Sequence, residues 1–147
     1  MSWPPPRDEL VSYVKGLLRR YGVRPSRRLG QTFTVDPDLL RDMAGYAELS
    51  REDVVLEVGA GLGCLTRLLA ERAGRVIAVE VDRRLVNALR DELSAYSNVE
   101  VVEGDFLEMD GFKVDKVVST VPYSIASPLT FKLLRDVEFK LAVLAYR

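Results

Sequence analysis

Residues 54–63 constrain this chain more than any other stretch: Val-Val-Leu-Glu-Val-Gly-Ala-Gly-Leu-Gly. A short apolar run carrying one acid gives way to glycines at 59, 61 and 63, and residues 64–70 then follow a helical pattern. Strand, glycine turn and helix in that order bring bare backbone to a place where side chains would otherwise block a ligand. The spacing bears on which ligand. A dinucleotide fold uses G-x-G-x-x-G, whereas here the third glycine is 63 and position 64 is Cys. The stretch therefore reads as a nucleotide-binding turn of another kind, or as a tight turn with no ligand.

The rest of the chain alternates around it. Leu10, Val11, Val14, Leu17, Leu18 and Tyr21 recur at helical spacing, which predicts an amphipathic helix over 8–21 that ends at Gly22. The Pro-rich lead, residues 1–6, cannot be helix and reads as loose. Asp36 before Pro37 starts a second helix, and Ser50 with Asp53 marks a turn. Strands are predicted over 54–58, 75–81, 99–103, 116–119 and 140–146, with helices over 64–72, 83–93 and 127–134 between them. Such alternation gives an α/β fold: a mostly parallel, doubly wound sheet, here with an N-terminal helical arm. Ligands of these sheets bind beyond the carboxyl ends of the strands. Gly59, Glu80, Asp105 and residues 120–123 all fall at such ends. The fifth strand runs to Arg147 where a central or near-central strand is expected, so the chain reads as a fragment of a longer domain.

Composition removes several chemistries. There is no histidine and one cysteine, so no His general base, no internal disulfide and no His/Cys metal site; no metal is expected. Without an apolar run near the ~20 residues of a membrane span, or a signal-peptide stretch, the expected location is cytoplasmic. Two Asn and one Gln among 147 residues suit a thermophilic source. Charge is divided: residues 1–30 carry net +5 and the remainder −6. A basic arm on an acidic body fits either nucleic-acid contact or a solvated helix face.

Three strand ends carry acceptors or a ring. Glu80, about twenty residues after the glycine turn, is placed to accept ribose hydroxyls; the alternative is surface charge. Asp82 reads as a helix cap. Asp105, in Gly104-Asp105-Phe106, is an acceptor for an exocyclic amine such as adenine's, with Phe106 or Leu107 beside the ring; as a bare sequence it also suits an ordinary turn. Pro122-Tyr123 offers an aromatic platform, or a turn with a core tyrosine.

An acid two residues before G-x-G-x-G resembles the cofactor turn of S-adenosylmethionine (SAM) methyltransferases. Four further stretches sharpen the likeness: Leu29-Gly30-Gln31-Thr32-Phe33-Thr34, residues 76–82 ending Glu80-Val81-Asp82, Gly104-Asp105, and residues 121–129 with Val121-Pro122-Tyr123. In this order they resemble the ribosomal RNA adenine N6,N6-dimethyltransferase family, over residues 26–147. The resemblance implies a Rossmann-like SAM-dependent methyltransferase of archaeal or thermophilic type. Its cofactor would be held by Gln31, Thr32, Thr34, Gly59, Gly61, Glu80, Asp105 and Thr120. Thr120, Pro122 and Tyr123 would form the catalytic loop, holding the target amine and stacking on its base. Arg24, Arg27 and Arg28 would contact phosphates of small-subunit ribosomal RNA or a pre-ribosomal particle, with the protein acting as a monomer. It also implies a basic arm over 1–28, a catalytic domain from 29 onward that is incomplete at 147, and a missing C-terminal helical domain.

Two positions depart from the family pattern. Thr32 and Thr120 stand where the family has Asn, so a planar carbonyl acceptor is replaced by a shorter hydroxyl. The cost in rate is on the order of 1–3 kcal/mol if one hydrogen bond is lost. This keeps open a binding factor for ribosome assembly that has lost turnover. A methyltransferase on another substrate, or an NAD-type binder, is the third reading, and the glycine spacing counts against NAD.

Overall fold

The computed structural model describes residues 2–25 and 33–146. Helix α1 (Arg7–Arg20) ends as the sequence predicts, at a left-handed Gly22 with φ of 62°. The Gly22 N–H returns to Arg19 O at 3.3 Å and the Val23 N–H to Leu18 O at 2.8 Å, which satisfies carbonyls the helix would leave open. In α2 (Pro37–Tyr46) the Asp36 carboxylate accepts the N–H groups of Asp38 and Leu39, at 3.0 and 3.2 Å. Pro37 occupies the first turn, where its missing N–H costs nothing.

Five strands follow, β1 (Val54–Val58), β2 (Arg75–Glu80), β3 (Val99–Glu103), β4 (Lys116–Val121) and β5 (Leu141–Tyr146), alternating with α3 (Cys64–Arg72), α4 (Arg83–Glu92) and α5 (Ala126–Asp136). Every pairing is parallel, in the order β3-β2-β1-β4-β5. The chain winds from β1 outward to β3, then returns to the other side of β1 with β4 and β5. The winding direction therefore reverses between β1 and β4, and that reversal opens a crevice at their carboxyl ends.

Side chains alternate between the two faces of the sheet. Val55, Val76 and Val118 join one core with Leu10, Val14 and Leu17 of α1, Leu40 and Met43 of α2, Leu65, Leu68 and Leu69 of α3, and Leu85 of α4. Leu56, Val58, Val79, Val117 and Val121 join another with Phe106 and with Leu129 and Leu133 of α5. Each large side chain so buried contributes about 1.5–3 kcal/mol. The helical arm is thus packed on the same core as the cofactor-type turn.

The structure corrects one expectation. Residues 2–6 are not a loose lead: Pro4 and Pro5 are buried, and Trp3 packs against the first core. Proline forbids helix, yet its ring buries apolar surface as well as any small side chain. Among the described residues strand β5 pairs with β4. Two short 3₁₀ turns, Phe106–Glu108 and Tyr123–Ile125, also escaped the sequence reading. Among the described residues no helix is long and apolar enough to cross a membrane.

Candidate functional site

The turn after β1 is built by three left-handed glycines, Gly59, Gly61 and Gly63, with φ of 75°, 61° and 84°. A Cβ at Gly59 would meet no protein atom within 4 Å, so the turn keeps free space at its first glycine. At Gly61 the corresponding position touches the Phe33 ring, at 3.5 Å. The turn is laced to the neighbouring strand: the N–H groups of Gly59 and Ala60 reach Val79 O at 2.8 and 3.3 Å. Gly61 donates to Glu80 Oε1 at 2.8 Å, and Asp82 to Glu80 Oε2 at 3.0 Å. The Glu80 carbonyl in turn accepts from Gly104 at 3.0 Å, so one residue links the ends of β1, β2 and β3.

Two acids sit beneath this turn. Glu57 in β1 is 2% exposed and accepts from the Thr66 hydroxyl at 2.5 Å. Burial pushes its carboxyl up to about 8; the Thr66 bond pulls the other way and the Glu80 charge adds to the rise. Glu80 is 5% exposed, and burial raises its carboxyl too, against the opposing pull of the Asp82 and Gly61 N–H groups. Burial also pushes the Cys64 thiol up to about 12, so Cys64 stands at the site as an apolar group rather than a nucleophile.

A cleft opens at the β1/β4 reversal, lined by Phe33, Thr34, Glu57, Gly59, Gly61 and Thr120 among others. Thr34, Gly59, Gly61 and Thr120, all expected from the sequence, therefore meet at one place. Thr120 shares its face of β4 with Val118, the face that also carries the glycine turn's helix. Pro122 O accepts the Ile125 N–H at 3.1 Å, and Tyr123 stands out from the protein, 83% exposed. Among the described residues this tyrosine belongs to none of the core clusters.

Other expected residues lie around the cleft rather than in its lining. Glu80 braces the turn from behind. Asp105 is exposed at the end of β3 and caps the 3₁₀ turn through the Leu107 N–H, at 3.0 Å. Of the two residues expected beside an adenine ring, Phe106 is 3% exposed and packs on Phe112 in the second core, while Leu107 is half-buried. Asp82 caps α4 as read, accepting from Arg84 N at 2.9 Å. Arg24 is exposed. Gln31, Thr32, Arg27 and Arg28 lie outside the described residues. Among the described residues no cluster of His, Cys, Asp or Glu is arranged to hold a metal ion. The sequence reading passed over Phe33 as a site residue, although it stands between two expected ones.

The family model for ribosomal RNA adenine dimethylase matches residues 23–145. The chain belongs to that family. A Methanopyrus kandleri relative named "Probable ribosomal RNA small subunit methyltransferase A" is 51% identical over 93% of this chain and 49% of its own length. A Pyrococcus abyssi relative of the same name is 47% identical over 89% of this chain and 48% of its own. The chain spans about half the length of these curated relatives. Among solved structures, the 23S rRNA methyltransferase ErmE superposes with a TM-score of 0.73 at 36% identity, covering 79% of this chain and 48% of that one. A dimethyladenosine transferase from Plasmodium falciparum gives 0.69 at 36% identity, covering 76% and 42%. The family match includes both the glycine turn and the Thr120 loop of this family member.

Proposed function

We propose that this chain carries the SAM-binding catalytic portion of an enzyme that dimethylates N6 of adenines in small-subunit ribosomal RNA. The observation that carries the reading is the cleft, which joins the glycine turn of β1 to Thr120 of β4 in a member of the adenine dimethylase family. The residues present fit the cofactor: left-handed Gly59 leaves backbone space, and a buried acid stands one strand away. Gly59 and Gly61 would admit SAM at the turn, Glu80 its ribose, and Asp105 its adenine amine, with Gln31, Thr32 and Thr34 closing from the preceding segment. Bound there, SAM supplies an electrophilic methyl group on its sulfonium.

The chain's own part in the reaction is to hold the nucleophile. The adenine amine would have to be held with its lone pair toward the methyl group that bound SAM would supply. Thr120 and the carbonyl of Pro122 are the acceptors at the cleft edge that aim the amine. Tyr123, already exposed, stacks on a base swung out of its helix, worth about 1–3 kcal/mol. Arg24, with Arg27 and Arg28, supplies phosphate contacts that position the RNA without reading its sequence. The protein would act as a monomer in the cytoplasm.

A second reading is favoured by the hydroxyls of Thr32 and Thr120 where carboxamides are expected. It makes the protein an assembly factor that binds RNA and SAM without turnover. The test is to incubate the full-length protein with SAM and unmodified small-subunit RNA and analyse the nucleosides by mass spectrometry. Dimethyladenosine supports the enzyme; SAM binding with no methylated adenine supports the factor; no SAM binding removes both.

A further inference from the structure

The N-terminal segment makes a polar contact with the site. The indole N–H of Trp3 donates to the carbonyl of Cys64 at 2.8 Å. Cys64 is the first residue of α3, follows left-handed Gly63 directly, and lines the cleft. The indole is held on two sides: the Arg67 guanidinium lies 3.8 Å above its ring, and Tyr13 of α1 meets it edge-on at 5.2 Å. Arg67 Nη1 also donates to the Tyr13 hydroxyl at 3.2 Å.

These contacts converge on the turn. Arg67's own backbone N–H bonds Gly63 O at 2.9 Å, and the Gly63 N–H bonds Ala60 O at 3.0 Å. Trp3 therefore holds the first turn of α3 directly at the Cys64 carbonyl, and its ring is held in turn by the Arg67 side chain of the same helix. Simple packing would need only an apolar ring here. The indole instead commits its single donor to the carbonyl at the exit of the glycine turn. The far end of α1 meets α4, where the Tyr21 hydroxyl and the Arg20 guanidinium reach the carboxylates of Asp91 and Glu92; Tyr13 also reaches Glu92, at 3.5 Å, so Tyr21 supplies a contact remote from Trp3 rather than a separate anchor.

We infer that Trp3 is a positioning residue for the cofactor turn, its indole N–H fixing the Cys64 carbonyl and with it the conformation of residues 59–63. The inference rests on the reading of that turn as the SAM site. Two full-length variants test it: Trp3→Phe, which keeps an aromatic ring but removes the donor, and Tyr21→Phe, which loosens the other end. Amide hydrogen exchange at residues 61–65 without cofactor and calorimetric titration with SAM are the readouts. Trp3→Phe is expected to speed exchange at the turn and to weaken SAM binding by about 2- to 12-fold, while Tyr21→Phe leaves both within about twofold. Wild-type exchange in Trp3→Phe overturns the inference, as does unchanged SAM affinity in that variant when the wild type binds SAM. Equal effects from Tyr21→Phe overturn it too, since a general loss of stability would then explain both. A wild type that binds no SAM defeats the proposed function instead, and the exchange comparison still decides whether Trp3 holds the turn.

Discussion

The Gly61 N–H lies 2.8 Å from one carboxylate oxygen of Glu80, and the Asp82 N–H lies 3.0 Å from the other. One buried acid thus ties the turn after β1 to the chain leaving β2. Each oxygen retains acceptor capacity beyond these bonds, since a carboxylate offers about four lone-pair sites.

Glu80→Ala removes the brace and the proposed ribose acceptor together. Two backbone donors lose their partner, which costs about 1–3 kcal/mol of stability, and SAM affinity should fall by roughly tenfold or more. Thermal melting and calorimetric titration read the two effects. Glu80→Gln keeps one carbonyl acceptor and should melt closer to wild type while still binding SAM weakly.

Glu57 makes stability depend on pH in a direction opposite to the usual carboxylate. Its folded-state value of about 8 lies above the ordinary 4.5, so between the two the folded protein keeps a proton that the unfolded chain has released. Stability is then greatest below the ordinary value, falls as pH rises through this window, and reaches its floor above about 8. Glu57→Gln, neutral throughout, should flatten that fall. Denaturation midpoints of both proteins at about pH 5 and about pH 9 check the sign.

Thr120→Asn restores a carboxamide at the cleft edge. If the hydroxyl aims the amine less well, methyl transfer should rise by about 5- to 150-fold with SAM affinity nearly unchanged. Single-turnover rates on small-subunit RNA measure it. A wild type that already matches Thr120→Asn would remove the assembly-factor reading.

Tyr123→Ala should weaken RNA methylation by about 1–3 kcal/mol through lost stacking, and Tyr123→Phe should not. Because the ring is 83% exposed, both variants should melt near the wild type. Kinetics at saturating SAM, with RNA varied, isolate the effect.

Much of the scaffold could be read from spacing, because local chemistry set it. Asp36 and Asp82 cap the helices they were expected to cap, Gly22 stops α1, and Leu85, Val86, Leu89 and Leu93 of the α4 pattern are all buried. The glycine turn was legible for the same reason: left-handed backbone demands glycine. What escaped depends on contacts far apart in the chain. Trp3 meets Cys64, Phe33 meets Gly61, and Phe106 turns inward to Phe112, and no periodicity encodes such pairs. Glu57 was read as part of a motif, but its burial against Thr66, and hence its altered titration, appears only in three dimensions.

The most direct measurement is calorimetric titration of the full-length protein with SAM, beside a parallel titration with NAD. The cleft between Gly59 and Thr120 predicts saturable, one-to-one SAM binding that S-adenosylhomocysteine displaces and Glu80→Ala weakens, with no heat from NAD. Binding of NAD in place of SAM, or SAM binding that Glu80→Ala leaves unchanged, would contradict the assignment of this turn.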